Sequence, residues 1–380
     1  MTIDATLPFA FISALAWAYL LLGHGGFWRI QLPPRGKPLK PARVVAVVPA
    51  RNEAAVISSS IRSLLAQADV DLTVILIDDN SSDSTAEVAR AAVSGWDRLI
   101  VIHGTEVPFG WTGKVWAMQQ GVVAAQTFSP EYLLFTDADI EHDPDSIASL
   151  IAIAEMRNCS LASYMVRLHC ETVAEKLLIP AFVFFFFKLY PPRWIADPRL
   201  PVAGAAGGCI LLKPEALKSI GGLECIRGEI IDDCSLARAV KQTGARLWLG
   251  VTDSARSIRP YGTFAEIGRM ISRTAFNQLR HSLLFLLIAV VGLLVVYVAP
   301  WVAVFSGGVR TCALGVLAVV LMFIAYLPMI RFYRLRPYWA LTLPVAAIFY
   351  LGATLSSAIR YWSGRGGEWK GRAQDARLHT

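Results

Sequence analysis

The chain has 380 residues, 55% of them hydrophobic, and a formal net charge of +7. A soluble domain is about 45–50% apolar, so an ordinary water-soluble globule is excluded. The basic balance suits either nucleic acid or anionic lipid. No groove-binding motif is present and the charge is mostly juxtamembrane, which argues for lipid headgroups and against nucleic acid.

The first apolar stretch is Leu7–Leu22, continued weakly into Gly23-His24-Gly25-Gly26-Phe27. No Lys or Arg precedes Arg29, so the positive n-region of a cleaved signal peptide is missing. Residues 1–28 are expected to be an uncleaved membrane anchor with its N-terminus outside. A basic linker, 29–43, follows with Arg29, Arg35, Lys37, Lys40 and Arg43. By the positive-inside rule it is cytoplasmic, and so is the domain 44–280 behind it.

Val44–Val48 is a continuous apolar run, as in a buried parallel strand, and Ala54–Ala66 has helical spacing. Thr73–Ile77, Leu99–Ile102 and Tyr132–Thr136 read as further strands; Ala86–Val93 and Lys114–Ala125 read as helices. Ser and Asp residues between 78 and 85 are placed to cap the second helix. This alternation predicts an α/β doubly wound, mostly parallel sheet.

The segment 177–190 holds Phe184-Phe185-Phe186-Phe187 but is short for a span. It is either an interfacial segment or a buried core helix. Within 281–360, Leu283–Phe305, Cys312–Ile330 and Trp339–Ile359 are candidate spans. Arg331, Arg334 and Arg336 fit the inside. The basic tail 361–380, with Arg365, Lys370, Arg372 and Arg377 after Arg360, argues for the inside too. Four full spans from an outside N-terminus would leave it outside, so either one stretch is re-entrant or interfacial, or the rule fails here. The six cysteines show no C-x-x-C spacing. Reduced thiols fit a cytoplasmic domain, with Cys234 beside two aspartates as an alternative ligand.

Asp137-Ala138-Asp139 carries the most chemistry. It ends a strand, where open α/β sheets bind ligands. Hard carboxylate oxygens suit Mg²⁺ or Mn²⁺, ions often shared with substrate phosphates. The other strand ends are polar as well, in a fixed order. Pro49-x-Arg51-Asn52-Glu53 comes first, then Asp78-Asp79-Asn80-Ser81-Ser82-Asp83, Gly113-Lys114, the D-x-D, Asp232-Asp233 and Arg273.

This ordered series resembles the family 2 glycosyltransferases of the GT-A fold, over about Val44 to Arg280. Phe109-Gly110-Trp111-Thr112-Gly113-Lys114, Gly207-Gly208 and Asp232-Asp233-Cys234-Ser235-Leu236-Ala237, with hydrophobic segments at both ends, look like the hopanoid-biosynthesis-associated group. Ceramide and carotenoid glycosyltransferases are related lipid-acceptor branches. The resemblance implies a membrane-bound, metal-dependent, inverting transfer of one sugar from a nucleotide-sugar, UDP-sugar favoured, to a lipid acceptor in hopanoid biosynthesis. The protein would then be integral to a bacterial inner membrane, with its catalytic domain in the cytoplasm.

The roles carried over are these. Asp79 resembles the aspartate on the base or ribose, and Pro49, Arg51 and Glu53 line the nucleotide pocket. Lys114 offers a point charge to the diphosphate. Asp139 resembles the metal ligand, and Asp137 its partner or a ribose contact. Asp233 resembles the general base, with Asp232 and then Glu229 behind it; one of the pair is alternatively a helix N-cap. Gly207-Gly208 permits close approach of acceptor or sugar, or makes a tight turn. Arg273 resembles the arginine of Q-x-x-R-W, with Arg269 as substitute. The glutamine and tryptophan of that motif are absent, which fits a single transfer rather than a growing polymer. His142 is the one histidine near the D-x-D.

Overall fold

The computed structural model describes residues 6–93, 97–306, 308–364, 368–369 and 372–373. The tail charges Arg365, Lys370 and Arg377 lie outside the described residues. The chain divides into two compact units: 31–169, 194–260 and 367–380 make one, and 1–30, 170–193 and 261–366 make the other.

The first unit is built on a sheet of eight strands. These are β1 (Ala42–Ala50), β2 (Val70–Asp78), β3 (Leu99–His103), β4 (Tyr132–Phe135), β5 (Ile140–His142), β6 (Leu161–Arg167), β7 (Ile210–Leu212) and β8 (Leu247–Ser257). Their order is β3-β2-β1-β4-β7-β6-β8-β5. β3, β2, β1 and β4 run parallel, as expected from their unbroken apolar runs. Beyond β4 the sheet is mixed: β7 is antiparallel to both β4 and β6, β6 is parallel to β8, and β5 is antiparallel to β8. Helices cover the parallel half on both faces, so the doubly wound α/β expectation holds.

Strand side chains alternate between faces, and both faces are buried. Val44, Ala46 and Val48 of β1 pack with Ile57, Ile61, Ile147 and Ile151 from the helices Ile57–Leu65 and Ser146–Arg157. On the opposite face lies helix Gly113–Ala125. A Cβ added at its Gly121 would come within 2.4 Å of Val47 Cγ1. Only glycine allows the helix to sit that close, and the contact sets where Lys114 at the helix start is held.

The second unit is helical. Among the described residues three helices are long and apolar enough to cross a membrane: Leu283–Phe305, Val309–Phe332 and Pro337–Trp362. Leu7–Leu22 is shorter, with 16 residues, or about 24 Å at the helical rise against a hydrocarbon core of about 30 Å. The Leu283–Phe305 segment contains a π-helical turn, Leu294–Val298. There the Val296 carbonyl accepts the indole N–H of buried Trp17 at 2.8 Å.

The helix Val173–Leu189 opens on a capping box made by Thr172 and Glu175. Its Phe184 and Phe187 are buried, and Phe184 meets the rings of Phe27 and Tyr326. Phe185 meets Tyr297 and Tyr350. The four-phenylalanine run is thus packed among the apolar helices of its own unit.

Candidate active site

The strand ends β1 and β2 build the first wall. β1 stops at Ala50, and Asn52 turns the chain in the left-handed region at φ 54°. After β2, Asn80 does the same at φ 50°. Asparagine tolerates that region better than most residues. The two turns are tied together. Asn52 N–H donates to Ser81 Oγ at 3.0 Å, Ser82 N–H to Asn52 Oδ1 at 2.8 Å, and Glu53 N–H to Thr85 Oγ1 at 2.8 Å. Arg51 donates to the carbonyls of Asp79 and Asn80 at 2.5 and 3.0 Å, with Asp79 Oδ2 3.8 Å away. Asp79 itself is buried. Ser84 does not cap its helix through its side chain; instead Asp83 Oδ1 accepts the Thr85 N–H at 3.1 Å. Pro49 is paired inside β1 against Ile77 of β2.

The second group centres on Lys114. Its Nζ lies 2.9 Å from Asp137 Oδ1 and 3.4 Å from Asp232 Oδ2. Burial works against its charge, but Asp137 and Asp232 outweigh it and hold the ammonium protonated beyond its ordinary range. Asp232 and Asp233 begin the helix Asp232–Gln242. Asp233 Oδ1 accepts the Cys234 N–H at 2.7 Å and Oδ2 accepts the Gly207 N–H at 2.9 Å. Neither aspartate is the N-cap, which is Ile231; Asp233 instead accepts the N–H of its own neighbour with one oxygen and turns the other to the Gly207 loop. Burial, and then the neighbouring Asp232 carboxylate, push the Asp233 carboxyl up to about 6. Glu229 is engaged elsewhere, accepting the Ser235 hydroxyl at 3.1 Å.

The two glycines differ. A Cβ at Gly207 would lie 3.4 Å from both Asp233 Oδ2 and Lys114 Nζ, inside the cluster. One at Gly208 would strike Val166 Cγ2 at 2.9 Å, in the core. Thr136 Oγ1 donates to the Gly208 carbonyl at 2.8 Å and stands 3.2 Å from His142 Nε2. With the threonine proton spent, that ring nitrogen must be the donor. His142 is buried, and burial pushes its pKa down to about 4. Neutral His142 therefore braces the D-x-D loop from behind. Cys234 is buried with its Sγ 3.6 Å from the Ala205 carbonyl, and all six cysteines are free thiols.

A third group was not legible in the sequence. Arg259, just past β8, places Nε 3.0 Å from Asp139 Oδ2 and Nη2 on Glu53 Oε2. Ser257 Oγ donates to the same Asp139 oxygen at 3.0 Å. Ser257 ends β8 and Arg259 lies just beyond it, while Asp139 immediately precedes β5, and they meet because β5 and β8 pair. Arg273 and Arg269 lie in the helix Phe264–Gln278, which belongs to the helical unit.

Five carboxylates (Glu53, Asp137, Asp139, Asp232, Asp233) thus surround two cations, Lys114 and Arg259. A diphosphate would be repelled there unless a divalent cation came with it. Asp137 and Asp139 supply the hard oxygens such an ion prefers. Among the described residues no three His, Cys, Asp or Glu side chains group as a closed metal site. Mg²⁺ and Mn²⁺ suit such an open site, because they keep waters and share substrate phosphates.

Residues 45–221 match the model of glycosyl transferase family 2. The 4,4'-diaponeurosporenoate glycosyltransferase of Staphylococcus aureus (strain USA300) is 33% identical over 124 residues, 32% of this chain. The match spans only 31% of that relative's length. The structure is similar to that of a mannosyltransferase from Pyrobaculum calidifontis, solved with GDP-Man and Mn²⁺. The TM-score is 0.51 and the identity 17%, over 92% of this chain and 98% of the other. The GT-A fold implied by the motif series is borne out, and the match to glycosyl transferase family 2 covers residues 45–221 of the sheet-bearing part of the chain.

Proposed function

We propose that the protein is a membrane-bound inverting glycosyltransferase that moves one sugar from a nucleotide-sugar, UDP-sugar favoured, to a lipid acceptor. The observation that carries this reading is Asp233: a half-buried carboxylate whose proton affinity is raised by partial burial and Asp232, with one oxygen fixed by the Gly207 N–H, beside the Lys114–Asp137 pair. A base poised near the working pH is what proton removal from a hydroxyl requires.

In this mechanism Asp233 takes the proton from the acceptor hydroxyl. The hydroxyl oxygen forms the new bond to the anomeric carbon, the sugar–phosphate bond breaks, and the nucleoside diphosphate leaves. Lys114 stands by the charge that develops on the departing diphosphate, and Asp79, Arg51, Glu53 and Pro49 shape the nucleotide wall. Asp139 and Asp137 would hold Mg²⁺ or Mn²⁺, which when bound supplies Lewis-acid stabilisation of the leaving group. Arg273 is a further candidate catalytic residue on its resemblance to the arginine of Q-x-x-R-W.

The acceptor class rests on the three apolar helices and on the carotenoid-type relative. A hopanoid acceptor rests on the motif resemblance; a carotenoid, ceramide, diacylglycerol or polyprenyl phosphate is the alternative. The membrane would be the bacterial inner membrane, with the transferase domain on the cytoplasmic side. A non-catalytic nucleotide- or lipid-binding scaffold is the rival reading. Mass-spectrometric lipid profiles of cells lacking the gene, or carrying wild type or Asp139→Ala, separate these. A glycolipid lost on deletion and restored only by wild type is expected. Restoration by Asp139→Ala, or an unchanged profile, would favour the scaffold.

A further inference from the structure

We infer that Arg259 is a resident counter-cation that metal binding must dislodge, so that metal and nucleotide bind as a coupled pair. The inference rests on the proposed metal-dependent reading of Asp139.

Asp139 Oδ2 already accepts two hydrogen bonds, from Arg259 Nε and Ser257 Oγ, both at 3.0 Å. The same guanidinium reaches Glu53 with its other end. This bridge is largely sheltered: the side chains of Asp139 and Glu53 are 12% and 9% exposed, and that of Arg259 27%. A divalent ion brought onto Asp139 meets a like charge at hydrogen-bond distance from the same carboxylate. Two cations that close repel unless one withdraws.

The backbone cannot supply that withdrawal. Ile140 and Ser257 are register partners in the β5–β8 ladder, and the Ile258 N–H donates to the Asp139 carbonyl at 2.9 Å. With the backbone fixed, the partly exposed side chain of Arg259 is the cation able to swing away. A diphosphate offers it planar oxygen pairs suited to a guanidinium fork, while Glu53 can retain the other end. The free enzyme therefore spends its Asp139 on Arg259, and the incoming nucleotide draws Arg259 away as the ion arrives. Coupling of this kind is reciprocal: nucleotide tightens metal binding by the factor by which metal tightens nucleotide.

The test is Mn²⁺ titration of the purified full-length protein in detergent, read by the EPR signal of free Mn²⁺, with and without UDP. In wild type, UDP is expected to tighten Mn²⁺ binding by about 10-fold or more, within the usual range of such couplings. Arg259→Gln is expected to bind Mn²⁺ alone more tightly than wild type and to show a coupling reduced to about 3-fold or less, on the same coupling scale. If Arg259→Gln leaves both quantities unchanged, or weakens Mn²⁺ binding without UDP, the inference is overturned. If that variant lacks a cooperative melt, Arg259→Met, which also removes the charge but keeps an unbranched stem, is judged by the same two quantities and signs. A wild type that binds UDP but no Mn²⁺ instead sinks the metal reading beneath it. Wild type with normal coupling and an unchanged variant sinks only the role of Arg259.

Discussion

Asp233 shows how far one side chain's surroundings can set its chemistry. An ordinary aspartate would be ionised from about pH 4 upward, but burial beside Asp232 delays this one to about 6. Transfer should therefore rise as pH increases through about 6 and level off above it. Asp233→Asn should abolish that step and lower the rate by about 10²–10⁴-fold, the usual worth of a general base. The linkage runs the same way. The folded chain holds this proton to higher pH than the unfolded chain, so this group's contribution to stability falls as pH climbs from about 4 to 6. Asn removes the buried charge that costs stability at pH 7, and this offsets a lost N–H contact. The thermal midpoint should then move by less than about 5 °C; a larger fall would assign the rate loss to folding. The acid pair was legible in the sequence, because adjacent aspartates opening a helical run are conspicuous. Arg259 was not, because nothing local marks an arginine whose partners lie 120 and 206 residues away.

At the scale of elements, glycines separate packing from chemistry. Gly208→Ala and Gly121→Ala push a methyl against Val166 and Val47 at 2.9 and 2.4 Å. Each should destabilise by at least about 1–3 kcal/mol, the cost of overpacking a filled core, seen as a lower midpoint in thermal or urea unfolding. Gly207→Ala finds 3.4 Å to Asp233 Oδ2 and Lys114 Nζ, ordinary contact distance. It should leave the midpoint near wild type while reducing transfer, because the methyl fills the space between base and ammonium. Equal destabilisation by all three would show that Gly207 is a packing residue as well. The parallel half of the sheet was readable because strands buried on both faces become unbroken apolar runs. The far half was not. β5 and β7 are each 3 residues long, too short for any period to show, and β8 mixes buried Leu247, Leu249 and Val251 with exposed Asp253 and Arg256.

The whole molecule reuses its chain in an unusual order. The helical unit draws on three separate stretches, 1–30, 170–193 and 261–366, and the sheet unit is threaded between them. Hydropathy revealed the long helices, since each needs about 20 apolar residues. It did not reveal that Val173–Leu189 would join them, because a 17-residue apolar helix fits a soluble core equally well. Trp17→Ala removes a fully buried ring and the hydrogen bond to Val296. It should destabilise by about 3–5 kcal/mol, the usual cost of a Trp-to-Ala core truncation, read as the melting midpoint of the full-length protein in detergent. An unchanged midpoint would mean that the first helix contributes nothing to holding the unit together.

The bond from Trp17 to the π-helical turn has a temporal meaning as well. The ribosome makes the tryptophan first and its acceptor 279 residues later. At roughly 5–20 residues per second, the opening helix waits many seconds for the carbonyl that will receive its indole. Throughout that interval the nascent chain carries an unmated aromatic helix. A ribosome that stalls before residue 296 releases a product whose first segment has no native mate.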